Sequence, residues 1–410
     1  MRKVSASVRF ALRGWLLAAV LAASLPAADP LFSPEKMARI RQGLREVYNL
    51  EHDQAIQTYQ TMVNAEPDDP AGYVYLAKVL WLRELVKKQE LSIDRFAASD
   101  FFAETPRYKP QVDPLAEQRF YEANAMAIEK ARLRLEGNPE DKTALFLLGL
   151  AYQTEASFAA SLKRAWWASF RAGSKTYRYH RDLLREDPSF DDAYLSIGVF
   201  HYVTGRLGWN VKWLAFLLGY RGDKERGKQE ILRAAERASL VNDDARVVLT
   251  LIHTREQNFQ AAFDELNFLL NRYPNNYLVH LDMGGIAMLM GRDDAAILIY
   301  QDILRKVRAG ETKYRELEIA TVANRLGVAT RHKGDLQSSV NWFLQALNAP
   351  DRTILSRVVS RLELGKTYDR LGRRNDALRE YRRVMELEDF AGSRDEAREL
   401  LGRPFRRDDN

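Results

Sequence analysis

The chain contains no cysteine among its 410 residues. It therefore has no disulfide, no thiolate metal ligand, no cysteine nucleophile and no cysteine-linked lipid. Histidine is also scarce: none of the six histidines lies four residues from another, the spacing that would let two of them bind one metal from a helix. The G-x-S-x-G, H-E-x-x-H and glycine-rich dinucleotide motifs are absent as well. We therefore expect no cofactor, no metal and no enzymatic activity.

The closest approaches to catalytic motifs have simpler interpretations. Residues 222–229 resemble a phosphate-binding loop, but Gln229 stands where such a loop needs a Ser or Thr hydroxyl for magnesium. Three acidic pairs could suggest carboxylate catalysis, yet they fall at predicted helix starts or turns, where we expect them to cap free N–H groups. These pairs are Asp191–Asp192, Asp243–Asp244 and Asp293–Asp294.

The chain also lacks a strong charge of either sign. Its net charge is +6, but the first 28 residues contribute four basic side chains and no acid, which leaves +6 − 4 = +2 for the rest. A nearly neutral chain does not provide the field that attracts phosphate backbones. We therefore do not expect nucleic acid as a partner.

Residues 1–28 have the layout of a secretory signal peptide. A basic stretch is followed by the apolar run at residues 14–25 and by the small residues Ala27 and Ala28. The run is short for a membrane-spanning helix, and no later stretch is long and apolar enough to be one. We expect export to the periplasm or cell envelope, with cleavage near Ala27 or Ala28. The alternative is retention as an N-terminal membrane anchor.

After the signal peptide, apolar and small residues recur with helical spacing. The clearest unit is residues 358–384, in which Leu364, Gly365 and Tyr368 share one helix face. Gly372 breaks the pattern, and a second amphipathic period follows it with Ala377. Small residues in both helices would let the two backbones approach closely. The pattern recurs over roughly residues 36–390, and we count eight units.

This pattern resembles the tetratricopeptide repeat, a helix–turn–helix unit of about 34 residues. Two intervals, Gly43 to Ala77 and Thr250 to Gly284, fit one repeat length of 34 residues. The resemblance implies an all-α, right-handed superhelical solenoid of about eight TPR-like helix–turn–helix repeats with insertions. The stretch from Tyr194 to Glu230 is also similar to exported bacterial repeat proteins.

The predicted organisation has three parts: a signal peptide (1–28), a TPR solenoid (29–393) and a capping helix with a charged tail (394–410). Solenoids need such a cap because the last unit has no neighbour to cover it. Intervals longer than one repeat indicate insertions in the solenoid. The insertions lie at about 89–114, 153–175 and 205–222.

In the family resembled, one face of the first helices lines a concave groove that holds peptide segments. The corresponding positions here are apolar in the middle of the array and polar at its C-terminal end. We predict a protein partner for this groove, although tight curvature of the solenoid could instead bury these side chains. The candidate partner-binding residues are Trp81, Phe146, Leu150, Tyr202, Leu251, Met288, Asn324, Arg331 and Lys366.

The insertion at 205–222 contains a dense apolar cluster. Exposed to water it would form a patch that soluble monomers avoid. We predict that it either plugs the groove or projects outward as an anchor to a membrane surface or partner. The residues concerned are Trp209, Trp213, Phe216 and Tyr220. The sequence thus indicates a non-enzymatic exported scaffold for protein–protein interaction, with a peripheral membrane or lipid-contacting protein as the alternative.

Overall fold

A computed structural model describes residues 31–87, 112–206, 222–390 and 392–406. The predicted signal peptide, nearly all of the insertions at 89–114 and 205–222, and residues 407–410 lie outside these ranges. The described residues form seventeen α-helices and two 3₁₀ turns, with no strand among them. The helices are α1 (Pro34–Tyr48), α2 (His52–Ala65), α3 (Pro70–Lys87), α4 (Pro114–Gly137), α5 (Lys142–Ser161), α6 (Trp166–Glu186), α7 (Tyr194–Arg206), α8 (Lys224–Arg237), α9 (Asn242–Arg255), α10 (Phe259–Arg272), α11 (Tyr277–Leu289), α12 (Asp293–Arg308), α13 (Ile319–Lys333), α14 (Leu336–Asn348), α15 (Ile354–Arg370), α16 (Arg374–Met385) and α17 (Ser393–Gly402).

Each helix packs against the next one along the chain, so the helices form consecutive pairs. The pairs α1–α2 to α15–α16 are eight two-helix repeats, of which the second and fourth have the predicted insertions between their two helices, and α17 packs against α16 and α15 at the end of the array. First helices of successive repeats also touch, as α3 does with α5 and α13 with α15. This arrangement confirms the predicted all-α solenoid. Residues 153–175 lengthen the helices of the third repeat, of which α5 has 20 residues and α6 has 21.

In four of the eight repeats, a glycine of the first helix packs under an aromatic ring of the second helix. A Cβ atom added to Gly365 on α15 would lie 2.4 Å from Cε1 of Tyr381 on α16. Only glycine leaves room for the ring at this distance. In these repeats the glycine therefore makes room for a side chain of the second helix, whereas the sequence predicted that it makes room for the backbone of that helix. The same contact is made by Gly43 with Tyr59, Gly284 with Tyr300 and Gly327 with Phe343.

The third and fourth repeats vary this contact. His180 takes the place of the aromatic ring, and a Cβ on Gly149 would lie 2.1 Å from its Nε2. In the fourth repeat two glycines meet: a Cβ on Gly227 would lie 2.5 Å from the carbonyl oxygen of Gly198. Here the backbones of α7 and α8 approach closely, as the small residues predicted.

The three acidic pairs lie in the first turns of their helices, as predicted, but none of them occupies the capping position of its own helix. The capping positions before them, Phe190, Val241 and Arg292, make no side-chain cap. Asp192 instead accepts hydrogen bonds from the backbone N–H groups of the next inter-helix turn, at 2.7–3.1 Å. Asp294 forms an ion pair with Lys333 at 2.6 Å. These two contacts join neighbouring repeats.

Candidate functional site

The candidate site is the face of the first helices that the sequence predicted to line a groove. Of its nine predicted residues, five are buried and four remain partly exposed. The buried residues are Phe146, Leu150, Tyr202, Asn324 and Arg331, and the partly exposed ones are Trp81, Leu251, Met288 and Lys366. Curvature therefore takes several of these side chains into the interior, and the face divides into a filled N-terminal part, an open middle and a polar C-terminal end.

In the N-terminal part the predicted residues pack inside the solenoid. Phe146 on α5 is completely buried and stacks on the His180 ring, with 5.6 Å between ring centroids. Trp81 on α3 donates its Nε1–H to the hydroxyl of Ser161 at 2.9 Å. The first contact joins the two helices of the third repeat, and the second joins that repeat to the one before it and leaves only part of Trp81 accessible.

His180 is a buried structural residue that the sequence did not predict. Its Nε2 lies 3.0 Å from the carbonyl oxygen of Phe146, which can only accept, so Nε2 carries the proton. Nδ1 then accepts from the hydroxyl of Ser196. Burial lowers the pKa of His180 to about 4, which keeps the ring neutral near pH 7.

The solenoid closes on itself, because the first repeat contacts the fifth and sixth. The hydroxyl of Tyr48, at the end of α1, donates to Asp244 on α9 at 2.5 Å. Lys78 on α3 pairs with the other oxygen of the same carboxylate. Asn276, just before α11, donates its side-chain N–H to the carbonyl oxygen of Tyr48 at 2.8 Å. The Tyr48 ring stacks on Tyr273, with 4.9 Å between centroids.

Apolar side chains complete this closure. Leu50, in the turn between α1 and α2, is buried in the same hydrophobic cluster as Tyr277 and Leu281 on α11. Val86, near the end of α3, packs against that cluster. Leu281 lies two helical turns before the predicted groove residue Met288 on α11, so the first repeat of the chain itself covers that part of the groove.

The middle of the face stays open. Leu251 on α9, Met288 on α11 and Val328 on α13 are all partly exposed. Leu289 beside Met288 is half exposed. Three consecutive first helices therefore present apolar side chains that no described residue covers completely.

The C-terminal end of the face is a network of charges. Glu363 on α15 accepts from Arg331 on α13 at 2.5 Å and from Lys366 at 2.7 Å. Burial would raise the pKa of Glu363, but the two cations outweigh burial and hold it at about 2. Asn324 is fixed by Ser360, which donates to its side-chain oxygen at 2.7 Å. The predicted polar residues are thus pre-positioned by their neighbours.

The predicted plug or anchor residues, Trp209, Trp213, Phe216 and Tyr220, lie outside the described residues. Helices α6 and α7 carry a row of aromatic rings. Trp167 and Phe170 on α6 stack with centroids 5.8 Å apart, and Phe170 lies 6.3 Å from Phe200 on α7. Trp167 is 61% exposed. Within the described ranges, no helix is both long enough and apolar enough to cross a membrane.

No protein-family model and no curated protein sequence matches this chain. Solved structures similar to it include that of yeast Tom70, with 12% identity and a TM-score of 0.39 over 90% of this chain and 95% of Tom70. PilF of Pseudomonas aeruginosa has 15% identity and a TM-score of 0.38 over 65% of this chain and 99% of PilF. A tetratricopeptide repeat protein from Parabacteroides merdae has 13% identity and a TM-score of 0.31 over 80% of this chain and 98% of its own. The fold is that of a TPR solenoid, as the helix pairing and the glycine–ring contacts of the chain itself show.

Proposed function

We propose that the chain is an exported, non-enzymatic scaffold that binds protein partners in the cell envelope through the open middle of its concave face. The observation that carries this proposal is the row of partly exposed apolar residues on α9, α11 and α13, which includes Leu251, Met288 and Val328. A curved array of first helices presents an extended surface suited to an apolar or amphipathic segment of another protein.

In the described residues, the acidic pairs are engaged in contacts between helices, and the buried His201 pairs with Glu230 at 2.6 Å and lies 3.3 Å from the Tyr177 hydroxyl. The described residues contain no group of three or more metal-ligating side chains close enough to hold a metal ion. The charged network at the C-terminal end is paired internally, which favours recognition over chemistry.

Site-specific photo-crosslinking tests the proposed surface. A photo-reactive phenylalanine analogue at Met288 should crosslink to a partner in cells, because that side chain lies in the open middle of the face. The matched control is Leu298 on α12, which is 66% exposed but on a second helix. Equal crosslinking from both positions, or none from Met288, would contradict the proposal.

Export has a separate test. A periplasmic reporter fused after residue 40 should be active, and mass spectrometry should find a mature start near Ala28 or Asp29. This expectation comes from the basic, apolar and small-residue layout of residues 1–28. A cytoplasmic product that still begins at Met1 would refute it.

The second candidate is a peripheral membrane protein that uses the apolar 207–220 segment, and the exposed Trp167 ring on α6 favours membrane contact. Tryptophan suits the membrane–water interface, because its ring is apolar and its N–H is polar. In liposome flotation, Trp167→Ala should reduce binding if this candidate is correct, whereas Leu298→Ala should not. A wild-type chain that stays with the soluble fraction would exclude this candidate.

A further inference from the structure

The chain turns back onto the concave face after its last helix. Helix α17 ends at Gly402, and Arg403 has extended backbone angles of φ −135° and ψ 142°. We call residues 403–406 the C-terminal segment. Arg403, Pro404 and Arg406 are exposed, whereas Phe405 is only 7% exposed. The segment is therefore inserted into the solenoid chiefly through one aromatic side chain.

Phe405 rests on residues of the predicted groove. Its backbone N–H donates to Oδ2 of Asp369 on α15 at 2.9 Å. Its ring centroid lies 5.4 Å from the guanidinium carbon of Arg331 and 5.5 Å from Nζ of Lys366. Cations at this distance from an aromatic ring attract its π-electrons. First helices of two successive repeats, α13 and α15, thus form one subsite for an aromatic residue of an extended chain.

The subsite is built by contacts that do not involve Phe405. Glu363 holds both cations, Arg331 at 2.5 Å and Lys366 at 2.7 Å. Asp369 is held by Arg374, whose Nη1 lies 2.9 Å and 3.0 Å from its two carboxylate oxygens. These five charged groups would keep their places if the C-terminal segment left. The subsite is therefore pre-organised, which reduces the cost of binding a ligand there.

We propose that this subsite recognises an extended peptide with an aromatic anchor, and that Phe405 occupies it in cis until a partner displaces the C-terminal segment. This inference rests on the proposed scaffold function and names the class of partner for one end of the concave face. The contacts specify two features of the ligand: an aromatic ring above the cations Arg331 and Lys366, and a backbone N–H that bonds Asp369.

The C-terminal segment would control access to the subsite because it is tethered to it. A segment linked to its own site acts at an effective concentration of about millimolar, so a free peptide of similar intrinsic affinity competes poorly. The apparent affinity for a partner falls in proportion to the fraction of molecules whose site is open. Removal of the Phe405 ring should therefore increase the affinity for a peptide added in trans.

Fluorescence anisotropy with a defined probe tests this. The probe is a labelled peptide with the sequence of residues 401–410, LGRPFRRDDN, titrated with the full chain or with its Phe405→Ala variant. We expect the variant to bind the probe at least tenfold more tightly than the wild type does. The same probe with alanine in place of its phenylalanine should not bind. Adding Lys366→Met to Phe405→Ala should weaken binding at least fivefold, because one of the two cations is lost.

Equal binding of the probe by the wild type and by Phe405→Ala, or no binding by either, would overturn the proposal and leave Phe405 as part of the solenoid core only. Circular dichroism checks that the variant is folded. If Phe405→Ala does not fold, Phe405→Leu replaces it under the same criteria, because leucine retains apolar contact but offers no ring to the cations. Crosslinking from Met288 reports on the proposed scaffold function separately, so either idea can fail alone.

Discussion

Gly365 is the position at which the smallest substitution should have a large effect. Alanine there would place its Cβ 2.4 Å from Cε1 and 2.8 Å from Cδ1 of Tyr381, where ordinary carbon contacts lie at about 3.5–4.0 Å. The ring must therefore move by about 1 Å. It is held by the hydrogen bond from its hydroxyl to Asp369 at 2.9 Å, which the movement would strain.

The magnitude follows from three effects. Overpacking of a dense core costs about 1–3 kcal/mol. Loss of a hydrogen bond to a charged group costs about 1.5–3 kcal/mol where it is complete. Replacement of glycine by alanine within a helix returns up to about 1 kcal/mol. We expect Gly365→Ala to lower the free energy of unfolding by about 2–3 kcal/mol, measured by circular dichroism at 222 nm during thermal and urea denaturation.

Gly173 supplies the matched control. It also lies inside a helix, α6, but a Cβ at Gly173 would meet nothing within 4 Å. Gly173→Ala should therefore leave stability unchanged or raise it by up to about 1 kcal/mol. If Gly365→Ala behaved like Gly173→Ala, the glycine–ring contact would not be what joins α15 to α16, and the repeat phase would be wrong there.

Two further predictions concern buried ionisable groups. Burial lowers the pKa of His52, His180 and His280 to about 4, so their neutral forms stabilise the fold above pH 6.5 and this contribution is lost as the pH falls towards 4. Each histidine can contribute up to about 3 kcal/mol to the free energy of unfolding. The melting temperature plotted against pH should therefore fall less steeply towards pH 4 in His52→Gln than in the wild type, and an identical slope would contradict the assignment. Asp244→Ala removes the carboxylate that bonds the first repeat, so small-angle scattering should report a larger radius of gyration and stability should fall by about 2–3 kcal/mol. The exposed Asp264→Ala is its control and should change neither quantity, and an unchanged radius for Asp244→Ala would show that this contact does not hold the closure.

The sequence predicts the repeats well because their contacts are local and periodic. An aromatic residue follows the first-helix glycine by 16 residues in four repeats, at Tyr59, Tyr300, Phe343 and Tyr381. In the third repeat the two helices are longer, so the ring of His180 falls 31 residues after Gly149 and the spacing no longer identifies it. A pattern that allows for longer helices, with the ring at the same helical phase, could have predicted His180.

The concave face was less predictable because its exposure depends on curvature. Hydrophobic spacing places Phe146 and Leu281 on the inner side of their helices, but it does not reveal that neighbouring or distant repeats cover them. Likewise, the position of Phe405 above Arg331 and Lys366 depends on how the chain turns after α17. The acidic pairs lie at helix starts as predicted, but some of their bonding partners, such as Lys333 for Asp294 and Tyr48 for Asp244, lie on other repeats, where local sequence rules do not reach.

The contact between the first repeat and the fifth and sixth has a consequence for how the molecule folds. Arrays whose units touch only their neighbours have low contact order, can begin to fold anywhere and fray at both ends. Here Tyr48 bonds Asp244, 196 residues away, and Asn276, 228 residues away. Such bonds form only after the intervening chain is ordered, so the N-terminal repeat should acquire full protection from hydrogen exchange late in folding. Once it has done so, its opening requires disruption of the middle of the array, and fraying is confined to the C-terminal end.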